Sequence, residues 1–168
     1  MKRFFLQQME YTRWGWGEAL ARFDGLADAE RRRDAGPGAP GLHRLVGDLG
    51  AMVQGRRLQL QGELLPARAT AEALAWDRLR QQLLDELLAL AAWVWSLEEG
   101  RLGRVVGGAA GTVNAPPQVI ADLLMQVLYD SEAARAQAAT LSRAHGLVLA
   151  RLDLVHFRAE RSGAACFG

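Results

Sequence analysis

One cysteine, three histidines and no long apolar run set the first limits on this 168-residue chain. Cys166 stands alone, so the chain can form neither an internal disulfide nor a cysteine-rich metal site. A single thiol fits a reducing compartment, and its place at the tail marks it as incidental rather than reactive. No stretch approaches the roughly 18 consecutive apolar residues of a membrane span. The opening Met1-Lys-Arg-Phe-Phe-Leu starts like a signal peptide, but Gln7, Gln8 and Glu10 end its apolar run at once. The expectation is a cytoplasmic protein. A net charge of +1 gives no strong pull toward nucleic acid or membrane. No segment alternates convincingly at period two, which argues against strands. There is also no Gly-x-Ser-x-Gly, P-loop or His-Glu-x-x-His motif.

What is present is helical periodicity. Half of the residues are apolar and 23% are charged, the balance of a globular protein with a buried core. A first helix is predicted over residues 3–23, with Phe5, Met9, Thr12, Trp16, Leu20 and Phe23 on one face. The Gly- and Pro-rich 34–41 stretch is a loop. A second helix follows over 42–63, with Leu45, Leu49, Met52 and Leu60 inward. Pro66 breaks the pattern, and Thr70 is a candidate N-cap for a third helix. That helix buries Trp76, Leu79, Leu83, Leu87, Leu90, Val94 and Leu97, with Arg78, Gln81, Gln82, Asp85 and Glu86 on its wet side. A Gly-rich connection spans 98–117. A fourth helix starts near Pro116 or Pro117 and ends at Gly146; a short fifth closes the chain. The expected fold class is all-α, a four-helix bundle with a short C-terminal helix, in one domain covering 1–168. Gly47, Gly50 and Gly55 inside the second helix imply close helix contact or room for a ligand, with close contact the commoner reason.

Several segments, in order along nearly the whole chain, resemble the DinB/YfiT-like family of four-helix proteins. "YTRWGWGEAL" resembles that family's Tyr-Asn-Arg-Trp-Ala-Asn segment. "GLHRLVGDLGAM" resembles Ile-His-x-x-Leu-x-His-Leu, and "DSEAARAQAATLSRAHG" resembles His-x-x-x-His-Arg-Gly-Gln with its Leu-rich turn. "LDLVHFRAE" resembles the closing Asp-(apolar)-x-x-(aromatic) stretch. The resemblance implies a DinB-like bundle that commonly dimerises and often holds a divalent metal on three histidines. Activities among relatives include transferases and isomerases that use low-molecular-weight thiols. The second-helix histidine falls on Asp48, and the last-helix pair falls on Asp130 and Ala134. Arg135 and Gln137 keep the Arg-x-Gln part, with Ala136 replacing glycine.

All three imidazoles are thus replaced, and a degenerate site is expected around Asp48 and Asp130. On helical wheels Asp130 shares a face with Leu123, Val127, Ala134 and Leu141, while Asp48 flanks Leu45 and Met52. Two carboxylates facing one interior need a proton or a cation between them. Three solutions stand open: a weakly held Mg, Mn or Ca ion rather than Zn; pairing with Arg56 or Arg135; or a shared proton with help from Tyr129 or Thr12. Thr12, Trp16, Arg56, Tyr129 and Arg135 are the pocket-lining candidates. His43, His145 and His156 read as caps or surface residues. Arg31-Arg32-Arg33 reads as a solvated turn, without the interleaved aromatics of a nucleic-acid surface. Phe4, Tyr11 and Trp14, with Leu84, Leu88 and Trp95, lie off the inner faces and suit a neighbouring helix or a second subunit; the expectation is a homodimer. Three functions follow: a non-catalytic or small-ligand-binding member; a divalent-metal-dependent hydrolase or thiol transferase using a carboxylate site; or a dimeric regulatory module in a stress response.

Overall fold

The computed structural model describes residues 1–36, 39–64, 70–106, 117–149 and 153–161. Pro66, Pro116 and Cys166 lie outside these residues, as does much of the 98–117 connection. Four long helices dominate: α1 (Lys2–Phe23), α3 (Leu42–Gln61), α4 (Trp76–Ser96) and α5 (Ile120–Ala144). Two short ones accompany them, α2 (Asp28–Arg32) and α6 (Leu154–Arg161). The 2-residue strands Val105–Val106 and Gln118–Val119 pair antiparallel just before α5. Too few side chains alternate there to register as period two, so strand character was unreadable in the sequence.

The helix ends follow local chemistry. At the end of α3, Gly62 takes φ +74°, its N–H donates to Gln59 O, and Glu63 N–H reaches back to Leu58 O. Gly146 repeats the arrangement after α5, also at φ +74°, with Leu147 N–H donating to Ser142 O. Both are Schellman-type stops that glycine makes without steric cost. Thr70 precedes a 3₁₀ turn at Ala71–Ala73 rather than α4 itself, which begins at Trp76. The missed helix α2 starts where the Glu30 carboxylate accepts the Ala27 N–H at 2.8 Å.

Helix directions follow from which residues meet. Lys2 Nζ donates to Leu97 O and Trp76 Nε1 donates to Asp24 Oδ1, so α1 and α4 are antiparallel. Gly47 lies against Leu79, Gly50 against Leu83, and Arg57 against Glu86, so α3 and α4 are parallel. Arg56 meets Gln126 while Leu42 lies near Leu141, so α3 and α5 are antiparallel. The order is therefore up-down-down-up, with α1 and α3 each packed between α4 and α5. Because α3 and α4 share a direction, α4 starts one α3 length away from the end of α3, about 30 Å for 20 residues.

The core joins all four long helices. Every residue predicted for the α1 and α4 stripes is buried, Trp16 completely. Leu45, Leu49 and Leu60 are buried on α3, with Met52 half-buried at its edge. Glu86 departs from expectation: it is buried, not on the wet side of α4. Its carboxylate accepts from Arg57 Nε at 2.7 Å and Gln54 Nε2 at 2.9 Å, which offsets desolvation. This bond holds Arg57 more firmly protonated than usual.

Candidate functional site

The three positions inherited from the histidine pattern do not converge on a donor set. The α3 face carrying Gly47 and Gly50 packs on Ala71, Leu79 and Leu83, which turns Asp48 toward solvent. Asp48 has a 65% exposed side chain, with Oδ2 3.6 Å from Arg44 Nε one helical turn earlier. Arg44 also lies 3.7 Å from Glu72. The expectation that Asp48 flanks the apolar interior is therefore corrected. Asp130 is half-buried on α5 and, among the described residues, makes no ion pair or side-chain hydrogen bond. Ala134 is half-buried and supplies no donor atom. No group of three or more His, Cys, Asp or Glu among the described residues is placed to hold a metal ion. The described residues do not fit a three-ligand metal centre.

The remaining pocket candidates scatter. Thr12 and Trp16 are buried in the α1 stripe, while Tyr129 is 68% exposed. Arg56 donates to Gln59 Oε1 at 3.0 Å and Gln126 Oε1 at 3.3 Å. Arg135 lies across Gly15, pairs with Glu132 and donates to Tyr11 Oη at 2.8 Å. Neither arginine's described bonds reach Asp48 or Asp130, correcting the expected pairing. Burial raises the Tyr11 pKa, and the Arg135 charge opposes that shift only in part.

Tyr11 and Trp14, expected against a neighbouring helix or a second subunit, are covered by α6. The Phe157 ring sits 5.7 Å from Tyr11 and 5.5 Å from Trp14, centroid to centroid. Trp14 Nε1 donates to Glu160 Oε2 at 2.8 Å, and Arg161 pairs with Glu10.

His43 also departs from its expected surface role. It is 2% exposed, with Nε2 3.1 Å from Leu74 O and its ring beside Trp76. Burial lowers its pKa, and the Arg32 charge adds to the effect. The basic run nearby is not simply a solvated turn. Arg31 donates to the carbonyls of Phe23 and Leu26 and stacks over Trp76. Arg32 binds Asp28 at 2.7 Å and the Glu72 carbonyl at 3.1 Å.

Two clefts open where residues 33–36 and 39–40 lie beside α3 and α5. One, of about 260 Å³, lies between Arg33, Asp34, Leu42, Leu141 and His145. The other, of about 210 Å³, runs past Asp34 to Pro40, Arg44 and Asp48. They share Asp34, whose Oδ1 accepts the Gly41 N–H at 3.0 Å. Gly41 is required there: a Cβ would stand 2.6 Å from Arg33 O. The sequence reads Arg33 as part of a solvated turn and His145 as a cap or surface residue; no linear spacing links positions so far apart.

No protein-family model matches the chain, and no curated protein matches it. Solved structures do. A DinB-like protein from Bacillus cereus ATCC 10987 superposes with TM-score 0.68 at 15% identity, covering 87% of this chain and 93% of that one. A conserved protein from Enterococcus faecalis gives TM-score 0.59 at 15% identity, covering 85% and 95%. The chain therefore has the DinB-like fold, in agreement with the resemblance read from its sequence.

Proposed function

We propose that this DinB-fold protein is a small-ligand-binding bundle that does not run the metal chemistry of a three-histidine site. The observation that carries the reading is the state of the ligand positions. Asp48 is spent on Arg44 at the surface, Asp130 stands apart, and Ala134 has no donor. The clefts beside α3 supply a place for a ligand instead. Elemental analysis of protein purified without added metal tests this, beside the Asp48→Ala/Asp130→Ala double variant. We expect substoichiometric divalent metal in both. Stoichiometric metal that disappears in the double variant would favour the alternative, a metal-dependent hydrolase or thiol transferase with a carboxylate site.

A dimeric form has its own support. Phe4, Leu88 and Trp95 remain exposed on α1 and α4 after α6 has covered Tyr11 and Trp14. A homodimer would remove them from water, and a regulatory role would use that surface. Sedimentation of wild type against Trp95→Arg tests it: the expected dimer shifts toward monomer in the variant. For location, no helix among the described residues is long and apolar enough to cross a membrane.

A further inference from the structure

We infer that the cleft between α3 and α5 is a binding site for a small organic carboxylate, gripped by Arg33 beside a partly apolar lining. The inference rests on the small-ligand reading above and gives it a place and a ligand class.

The argument begins with the three consecutive arginines. Arg31 and Arg32 are consumed by the fold: one binds backbone carbonyls and stacks on Trp76, and the other ties Asp28 to the turn before α4. Arg33 is different. Among the described residues its guanidinium has no carboxylate or carbonyl partner, and it lines the 260 Å³ cleft. Opposite, at the end of α5, His145 also lines the cleft with its ring unengaged among the described residues. The rim acid, Asp34, already has one oxygen committed to the Gly41 N–H. The lining therefore includes an arginine and a histidine, against one carboxylate partly spent on the backbone.

About half of the cleft's lining is apolar. Leu42 and Leu141 are buried core residues that show only their edges to the cleft, and Ala144 adds a methyl group. A lining half apolar and half polar, with an arginine in it, suits a compact amphiphile. The carboxylate takes two parallel N–H bonds from Arg33, a geometry lysine cannot provide. The ligand's hydrocarbon body covers Leu42 and Leu141. Inorganic anions satisfy only the first of these demands, and neutral aromatics only the second.

The probe is sodium benzoate, titrated into the full chain at constant ionic strength and followed by amide chemical-shift changes. We expect saturable binding, with shifts centred on residues 33–35, 42 and 141–145. Arg33→Gln should weaken it about tenfold, the loss of one bidentate charge-assisted contact. Asp34→Asn should tighten binding or leave it unchanged. His145→Gln should weaken it less than Arg33→Gln does. Benzyl alcohol and inorganic phosphate should each bind more weakly than benzoate. The Arg33 side chain is exposed and makes no bond among the described residues, so an unchanged melting temperature in Arg33→Gln will show that the variant is folded. Linear, unsaturable shifts with benzoate would overturn the inference, as would saturable binding that Arg33→Gln leaves untouched. Metal analysis is an independent readout: metal with Arg33-dependent benzoate binding sinks the functional reading alone, and absent metal without benzoate binding sinks this inference alone.

Discussion

Arg57 of α3 and Glu86 of α4 meet with Nε and Oε2 2.7 Å apart, in a seam that leaves both side chains less than one-fifth exposed. Gln54 completes the carboxylate's bonding at 2.9 Å. The group fixes the register of two parallel helices that no short turn joins. Removing the acid leaves a cation and an amide without it in a poorly solvated seam. Glu86→Ala should therefore cost about 2–3 kcal/mol in urea unfolding. Glu86→Gln, which keeps acceptor and shape, should cost less; equal losses would show that charge rather than packing matters there.

The glycines of the helices separate close approach from open space. A Cβ on Gly47 would stand 2.3 Å from the Ala71 Cβ, with no flexible chain end to yield. Gly47→Ala should cost about 1–3 kcal/mol, because the turn before α4 must move. At Gly15 the nearest atom is Arg135 Cδ at 3.5 Å, an ordinary contact. Gly15→Ala should be neutral or gain up to about 1 kcal/mol from helix propensity. Chemical denaturation of both variants checks the contrast, and a neutral Gly47→Ala would remove the close-contact explanation.

His43 makes stability depend on pH, with a definite sign. Its folded pKa lies below the unfolded value of about 6.5, because burial penalises the imidazolium. Below that value the unfolded chain binds the proton more readily, so folding is opposed. The contribution is complete above about pH 6.5 and is lost as pH falls toward the folded pKa. Wild type should lose more unfolding free energy between pH 7.5 and 5 than His43→Gln does. Urea titrations of the two proteins give that difference, and parallel curves would contradict it.

The inner stripes of α1 and α4 were legible because each alternates large apolar and polar residues cleanly at helical spacing, Phe5 to Phe23 and Trp76 to Leu97. The α3 face was harder. Gly47 and Gly50 have no side chain to register as apolar, yet theirs is the face against α4. Overlooking them rotates the wheel and draws Asp48 inward, when it stands outside beside Arg44. Glu86 was misjudged for the converse reason: a charged residue reads as wet unless its partner, 29 positions earlier, is known. Helix direction was illegible altogether, since periodicity is the same read either way along an axis. The cleft of Arg33 and His145 belongs to the same class, for only the antiparallel α3–α5 pairing brings them together.

The up-down-down-up order also governs the electric field at the bundle's two caps. At the cap holding Leu42 and Ala144, α3 and α4 begin while α1 and α5 finish. Each helix start carries roughly half a positive elementary charge and each finish the matching negative one. With two of each, the backbone contributions largely cancel there, so ion preference at that cap is left to side-chain charges.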